Sequence, residues 1–119
     1  MNLTFFDQSG TAVAYSEDEQ TIYLFDGRPV AYLDDDSAYS FSGEHLGWYL
    51  RGWILDNVGY CILFTDNASG GPFKPFKGFK PFKDFKKSKP IKEFKKHKPQ
   101  KQSIKSSWSD VSAEEFFRI

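Results

Sequence analysis

A chain of 119 residues with zero formal net charge and 39% hydrophobic residues has the composition of one small folded domain. A single cysteine, Cys61, excludes an intrachain disulfide framework, and we expect a structural thiol in a reducing, cytoplasmic location. No apolar run approaches the ~18 residues of a membrane-spanning helix, so we expect no membrane span.

The clearest local signal is the hairpin centred on Asp26-Gly27, which lies between two apolar runs. A type I′ turn needs positive φ at both central residues, and Asp-Gly tolerates this, so the pair predicts a two-residue loop. The resulting register places Tyr23 opposite Val30 and Ile22 opposite Ala31. Tyr23 and Val30 would then lie on the same face of the hairpin.

The pattern of this hairpin recurs four times, as Gly-x-x-aliphatic-x-aromatic. We expect four-residue connections in the first and fourth repeats and two-residue connections in the middle two. The sequence therefore predicts an all-β fold of four consecutive antiparallel hairpins over residues 3–65, without helix in 20–50. Small residues opposite the aromatic face (Ala14, Ala31 and Gly47) would allow neighbouring elements to approach closely. The repeats begin at Gly10, Gly27, Gly43 and Gly59, and the predicted buried aromatic face holds Tyr23, Phe25, Val30, Tyr32, Tyr39, Phe41, Leu46 and Trp48.

The zero net charge conceals a strong separation along the chain. Residues 1–71 hold two basic and eleven acidic side chains, a balance of −9, whereas residues 72–105 hold thirteen lysines and two acidic residues, a balance of +11. The composition changes at Ser69-Gly70-Gly71-Pro72, which indicates a boundary. We interpret 3–68 as the hairpin domain, 69–105 as linker and tail, and 106–119 as a docking segment.

Lysine occupies every third position of the tail from Lys74 to Lys101. Phenylalanine or isoleucine usually precedes it, and proline or glycine often occupies the third position. A period of three is that of polyproline II, which would carry one aromatic ridge and one cationic ridge. The alternative is a disordered, solvated tail.

The charge difference predicts that the tail associates with the hairpin domain, and we expect the phenylalanine ridge to lie along an aromatic groove. An extended tail would exceed the length of such a domain, so it must bend, wrap around or reach another subunit. Ser112 and Glu115 form a capping-box pattern that predicts a short terminal helix. Trp108, Phe116 and Phe117 would hold the far end of the tail on the hairpins.

These features resemble the bacterial family of four-fold beta flower proteins. The resemblance covers nearly the whole chain and rests on the four hairpins, on the segment 41–54, and on the succession of 68–72, triplet tail and 107–112. It implies hairpins around a pseudo-four-fold axis and supplies no activity or catalytic residues. A weaker similarity, carried by Gly47-Trp48 and Gly52-Trp53, is to the tryptophan-glycine hairpins of cell-wall and choline-binding modules.

The inventory of catalytic residue types predicts that the protein is not an enzyme and binds no cofactor or metal. His45 is expected at the surface, at the hairpin position equivalent to Pro29. The acidic runs at 17–19 and 34–36 lack the spacing of a calcium loop and are interpreted as solvated turns. No phosphate-binding loop, nucleophile elbow or Cys/His cluster is present in the sequence.

Three function classes remain open. The first is a structural or protein-interaction module with a protein partner or self-association, the second is anion or nucleic-acid binding by the tail, and the third is sugar or choline-type ligand binding on exposed aromatic residues. The candidate ligand- or partner-binding residues are Trp48, Tyr49, Trp53, Phe73, Lys74, Phe76, Lys77, Phe79, Lys80, Phe82 and Lys83.

Overall fold

A computed structural model describes residues 2–119 and shows eight antiparallel strands that close into a barrel, each paired with its neighbours in chain order. The predictions of an all-β fold, of four consecutive hairpins and of no helix in 20–50 are confirmed. The elements are β1 (Leu3–Phe6), β2 (Ala12–Ser16), β3 (Thr21–Leu24), β4 (Pro29–Asp34), β5 (Ser37–Tyr39), β6 (His45–Leu50), β7 (Trp53–Asp56), β8 (Cys61–Phe64) and α1 (Ala113–Phe117).

The four hairpin turns share one geometry, which corrects the predicted mixture of loop lengths. In the second hairpin Gly27 N–H donates to Leu24 O at 3.0 Å, and Leu24 N–H donates to Arg28 O at 2.9 Å. The same pair of bonds recurs at Gly10, Gly43 and Gly59. Gly27 has φ +92°, whereas Asp26 is not among the positive-φ residues, so the type I′ assignment is wrong.

Each turn is followed by a β-bulge, which shifts the register of the hairpin. Ile22 pairs with Ala31 as predicted, but Tyr23 pairs with Pro29, which leaves Val30 as the extra residue. Val30 and its counterpart Leu46 therefore lie in the barrel interior instead of on the aromatic face. Their predicted place among the aromatic residues is wrong because one extra residue moves a side chain to the other face.

The barrel interior is filled by aliphatic side chains and Phe5, and α1 packs against this core. Ser112 and Glu115 form the predicted capping box, and Phe116 and Phe117 are buried against the barrel as expected. Gly47 shows why small residues line this space: a Cβ there would lie 1.8 Å from Leu55 O and 3.0 Å from the Phe116 ring. The terminal helix thus completes a core that short strands alone would leave thin.

The outer wall of the barrel carries most of the predicted aromatic face. Its rings pack in small groups, such as Tyr15 with Tyr23 (5.8 Å between centroids) and Tyr32 with Tyr39 (5.6 Å). These side chains are buried although they point away from the barrel interior. Another part of the chain must therefore cover them, and that part is the tail.

Candidate functional site

Residues 72–105, called the belt below, contact all four hairpin turns in chain order and so wrap around the barrel. A Cβ on Gly10, Gly27 or Gly43 would lie 2.0 Å from the carbonyl oxygen of Phe76, Phe85 or Phe94, respectively. At Gly59 the corresponding atom is Ser103 O, at 2.5 Å. Positions 76, 85, 94 and 103 follow one another at intervals of nine residues, so each hairpin repeat of the barrel corresponds to three triplets of the tail.

Backbone hydrogen bonds hold the belt in this register. At each turn one belt N–H group donates to the carbonyl oxygen of the turn glycine, and these donors again follow one another at intervals of nine residues. The bonds are Gly78 N–H to Gly10 O (2.7 Å), Lys87 N–H to Gly27 O (2.8 Å), Lys96 N–H to Gly43 O (2.8 Å) and Lys105 N–H to Gly59 O (3.0 Å). Asp84 and Glu93 donate to Phe25 O and Phe41 O, both at 2.9 Å. A segment with three residues per turn presents the same side to each hairpin after nine residues, which explains the spacing.

Seven of the thirteen lysine side chains of the belt lie over the aromatic outer wall. Lys83 Nζ is 4.5 Å from the centroid of the Tyr15 ring, and Lys92 Nζ is 4.3 Å from that of Tyr32. Further ammonium groups lie over Phe6, Tyr23, Tyr39, Trp48 and Tyr60 at 5.2–5.9 Å. Cation–π attraction and cover by the aliphatic lysine stems account for the burial of this wall.

Carboxylates at the far end of the hairpins complete the lysine sites. Glu17 binds both Lys83 and Lys86, Asp34 binds Lys95, and Asp36 accepts from Lys101 at 2.5 Å. Hydrogen bonding from the lysines holds the pKa of Glu17, Asp34 and Asp36 below the usual range. The acidic turns predicted to be merely solvated are therefore the counter-charges of the belt, together with Asp66, which binds Lys77.

Ile104 packs against the barrel, but the seven apolar side chains that precede it in the belt face outward, which overturns the expected burial of the phenylalanine ridge. They are 88–100% exposed, and we call them the apolar ridge: Phe73, Phe76, Phe79, Phe82, Phe85, Ile91 and Phe94. The tail and barrel do associate, as predicted, but the lysines make the contact. The reason is that the outer wall offers aromatic faces above carboxylates, a surface that suits cations better than another aromatic ring.

The other predicted site residues have different environments. Trp48 and Trp53 are each 1% exposed, so the exposure expected of both rings for ligand binding is wrong, whereas the burial predicted for Trp48 as part of the aromatic face is confirmed. Tyr49 is partly buried and contacts Phe5 at 6.3 Å between centroids. Lys74 Nζ donates to Ala68 O at 2.7 Å. Lys80, by contrast, has no ion-pair partner within residues 2–119.

His45 is buried, at 6% exposure, and its predicted surface location is wrong. The position is equivalent to Pro29, as expected, but the ring is hydrogen-bonded through Nδ1 to Asn57 Oδ1 at 2.8 Å and through Nε2 to Ser37 Oγ at 2.9 Å. Burial lowers the pKa of His45. This shift favours the neutral form of the ring, which lies beside Trp48 at 4.5 Å between centroids.

Cys61 is fully buried beneath the C-terminal segment, where its thiol donates to Lys105 O at 3.6 Å. Burial raises the pKa of this thiol to about 12. Trp108 forms a bridge with Cys61 and packs on Trp53 at 5.5 Å between centroids, as the sequence predicted for the far end of the tail. The environment is that of a structural cysteine.

Residues 2–119 contain neither a cluster suited to a metal ion nor a helix suited to spanning a membrane. No group of three His, Cys, Asp or Glu side chains in this part of the chain is arranged to hold a metal ion. Among the helices described there, none has the length and apolar character needed to cross a bilayer.

Comparisons with known proteins agree with this architecture. No curated protein and no solved structure matches the chain. The family model described as 4-fold beta flower protein matches residues 3–117, a range that takes in the barrel, the belt and nearly all of α1. The chain therefore belongs to the 4-fold beta flower protein family.

Proposed function

We propose that the protein is a non-enzymatic docking module. In this proposal the barrel is a rigid scaffold, the lysines fasten the belt to it, and the apolar ridge engages a partner. The observation that carries the proposal is the 88–100% exposure of seven large apolar side chains on one continuous segment of a small protein. Exposed apolar patches of this kind mark interaction surfaces on folded proteins.

The belt could be fastened without the phenylalanine side chains. Backbone groups make its contacts with the glycine turns, and lysine side chains cover the outer wall. The fourth repeat supports this separation, because Ser103 occupies the position held by Phe76, Phe85 and Phe94 in the first three. The aromatic side chains thus add exposed apolar area without adding to the attachment, which points to a role outside the molecule.

The two other function classes have weaker support. Nucleic-acid binding by the belt would leave few lysines for an extended phosphate backbone, because most of them already lie over aromatic rings or beside barrel carboxylates. Sugar or choline binding on Trp48 and Trp53 would require both buried rings to become accessible. The outward phenylalanines need no rearrangement to make contact, which favours the docking module.

A triple variant tests the apolar ridge directly. Replacing Phe76, Phe85 and Phe94 by serine gives three repeats the residue that the fourth already carries. We expect weaker retention on a hydrophobic interaction column and less binding of an apolar fluorescent dye, with an unchanged circular dichroism spectrum. The matched control is Gln100→Ser, at the position nine residues beyond Ile91. Equal retention and dye binding for the triple variant and wild type would contradict the proposal.

A further inference from the structure

We infer that the partner of the apolar ridge is the surface of an anionic lipid bilayer, which the protein binds peripherally. The inference rests on the proposed docking function and names its partner. Three features carry it: the repetition of the ridge around the barrel, the charge of the belt, and the fixed conformation in which the phenylalanines are held.

The first feature is the level at which the aromatic residues lie. Phe76, Phe85 and Phe94 each place their carbonyl oxygen against the glycine of a hairpin turn, at the same 2.0 Å from the Cβ position. All four turns are at one end of the barrel, since they join strands of consecutive antiparallel hairpins. These three residues therefore lie at one level along the pseudo-four-fold axis, spread over a molecule 35 × 35 × 24 Å in extent.

Exposed apolar groups that recur at successive hairpins suit an extended and uniform partner. A protein partner would need a matching set of pockets at the same spacing, whereas a bilayer presents the same chemistry to every repeat. Aromatic side chains are favoured at the boundary between lipid headgroups and acyl chains. The arrangement therefore fits a membrane surface better than a single peptide or groove.

The second feature is the charge next to the ridge. The belt carries +11, with Asp84 and Glu93 as its own carboxylates. Six of its thirteen lysines are in ion pairs with the barrel. The others, Lys80 and Lys89 among them, have no carboxylate partner in the described residues 2–119. Lysines beside exposed aromatic residues attract anionic headgroups, whereas the belt of a second copy would present like charge.

The third feature is that the ridge is held in place before it binds. Six belt N–H groups, from Gly78 to Lys105, are already bonded to barrel carbonyls. Prolines at 81, 90 and 99 restrict φ in the three longer segments between these contacts. The protein therefore loses little conformational freedom when the ridge enters an interface, unlike a disordered basic peptide.

Co-sedimentation of the full-length protein with vesicles tests the inference. The probes are vesicles of phosphatidylcholine alone and vesicles that contain about one third phosphatidylglycerol. We expect binding to the anionic vesicles, weaker binding as salt rises, and much weaker binding to phosphatidylcholine. The triple variant Phe76→Ser, Phe85→Ser and Phe94→Ser should lose at least about tenfold in partition coefficient.

Two further variants separate the contributions. Lys80→Gln with Lys89→Gln should weaken binding to anionic vesicles and leave binding to phosphatidylcholine unchanged. Ser103→Phe should strengthen binding to the vesicles, because it places a phenylalanine in the fourth repeat at the position where the other three repeats already have one. Gln100→Ser is the control and should bind like wild type.

Several outcomes would overturn the inference. One is the absence of co-sedimentation at low salt, and another is equal binding by the triple variant and wild type. A third is a dimer in analytical ultracentrifugation that dissociates in the triple variant while vesicles remain unbound, which would assign the ridge to contacts between copies. Loss of dye and column binding in the triple variant, with no vesicle binding by wild type, would leave the docking function standing without this partner.

Discussion

The barrel and the belt are ordered by different interactions, although they form one compact molecule. Each barrel strand finds hydrogen-bonding partners in the neighbouring strands and packs its side chains on a common core. The belt contains no helix or strand within the described residues, and its backbone N–H groups donate to barrel carbonyls. Its conformation is therefore dictated by the surface beneath it.

This difference explains which side of the belt faces inward. In the barrel, apolar side chains are buried because burial removes their surface from water. On the outer wall the aromatic groups are already in place, with carboxylates such as Glu17 and Asp34 nearby, so lysines fit best. Because the belt binds a surface that the barrel has already formed, the residues that face inward are those that complement this surface. Here they are lysines, and not the apolar residues that fill a protein core.

The largest expected effect comes from disrupting the contact between a hairpin turn of the barrel and the belt. Gly27→Val should lower the free energy of unfolding by about 3 kcal/mol or more, because a β-branched residue is strained at positive φ and its Cβ would collide with Phe85 O. Urea unfolding monitored by tryptophan fluorescence measures the change. Gly78→Ala is the control, since its nearest neighbour would be Gly10 O at 3.3 Å, and we expect less than about 1 kcal/mol. An unchanged midpoint for Gly27→Val would refute the assigned turn and contact.

A smaller effect should follow when the lysines are changed without altering the barrel. Lys86→Gln with Lys95→Gln removes ion pairs to Glu17 and Asp34 and ammonium contacts with Tyr23 and Tyr39. Hydrogen exchange of the Lys87 and Lys96 amides, which bond to the glycine turns, should accelerate roughly fivefold while barrel amides change little.

Lys80→Gln with Lys89→Gln is the matched double variant, since neither lysine has an ion-pair partner in the described chain. It should leave the exchange of Lys87 and Lys96 unchanged. Equal acceleration in both double variants would show that total charge, and not individual lysine sites, holds the belt.

The pH dependence of stability should report on His45 in the barrel wall. Because burial lowers its pKa in the folded state, the unfolded chain binds the proton more readily, so stability should fall as the pH drops below 6.5. Thermal unfolding between pH 7.5 and 5 measures this loss, and His45→Gln should abolish that component. His97→Gln, in the exposed part of the belt, should retain the wild-type profile. A wild-type midpoint that is flat over this range would contradict the buried neutral histidine.

The smallest expected effect concerns Cys61, whose native thiol should barely react. Its pKa is raised to about 12 by burial, so little thiolate exists at pH 8. Iodoacetamide labelling followed by mass spectrometry should be slow in buffer and rapid in denaturant. Trp108→Ala should accelerate labelling in buffer, because Trp108 bridges to Cys61 and covers this edge. Fast labelling of the wild type would show that the C-terminal segment does not shield the barrel.

The hairpins could be predicted because their signal is local. The four Gly-x-x-aliphatic-x-aromatic copies indicate strands and turns, and Ser112 with Glu115 indicates the helix start. The bulge was missed, since Asp-Gly fits more than one turn type and only the pairing of Tyr23 with Pro29 reveals the extra residue. The placement of Val30 was wrong for the same reason.

Which side chains of the belt face the barrel depends on barrel residues that are distant in sequence, so this orientation could not be predicted from the triplet pattern alone. One signal was available: prolines at 72, 81, 90 and 99 repeat every nine residues, which indicates a period longer than the triplet. Four such periods correspond to four hairpins. The burial of His45 could not be predicted, because its partners Ser37 and Asn57 are distant in sequence and polar residues at a turn are commonly exposed.

The nine-residue step of the belt restricts how its gene can change in length. Loss of residues 84–86 would keep lysine at every third position, yet Pro90 would then occupy the place where Lys87 donates its N–H to Gly27 O. Proline has no such donor, so each later turn would be contacted out of phase. Insertions or deletions in this low-complexity segment that are not multiples of nine codons should therefore be tolerated poorly, because only a nine-residue step keeps the belt in phase with the hairpin turns that follow.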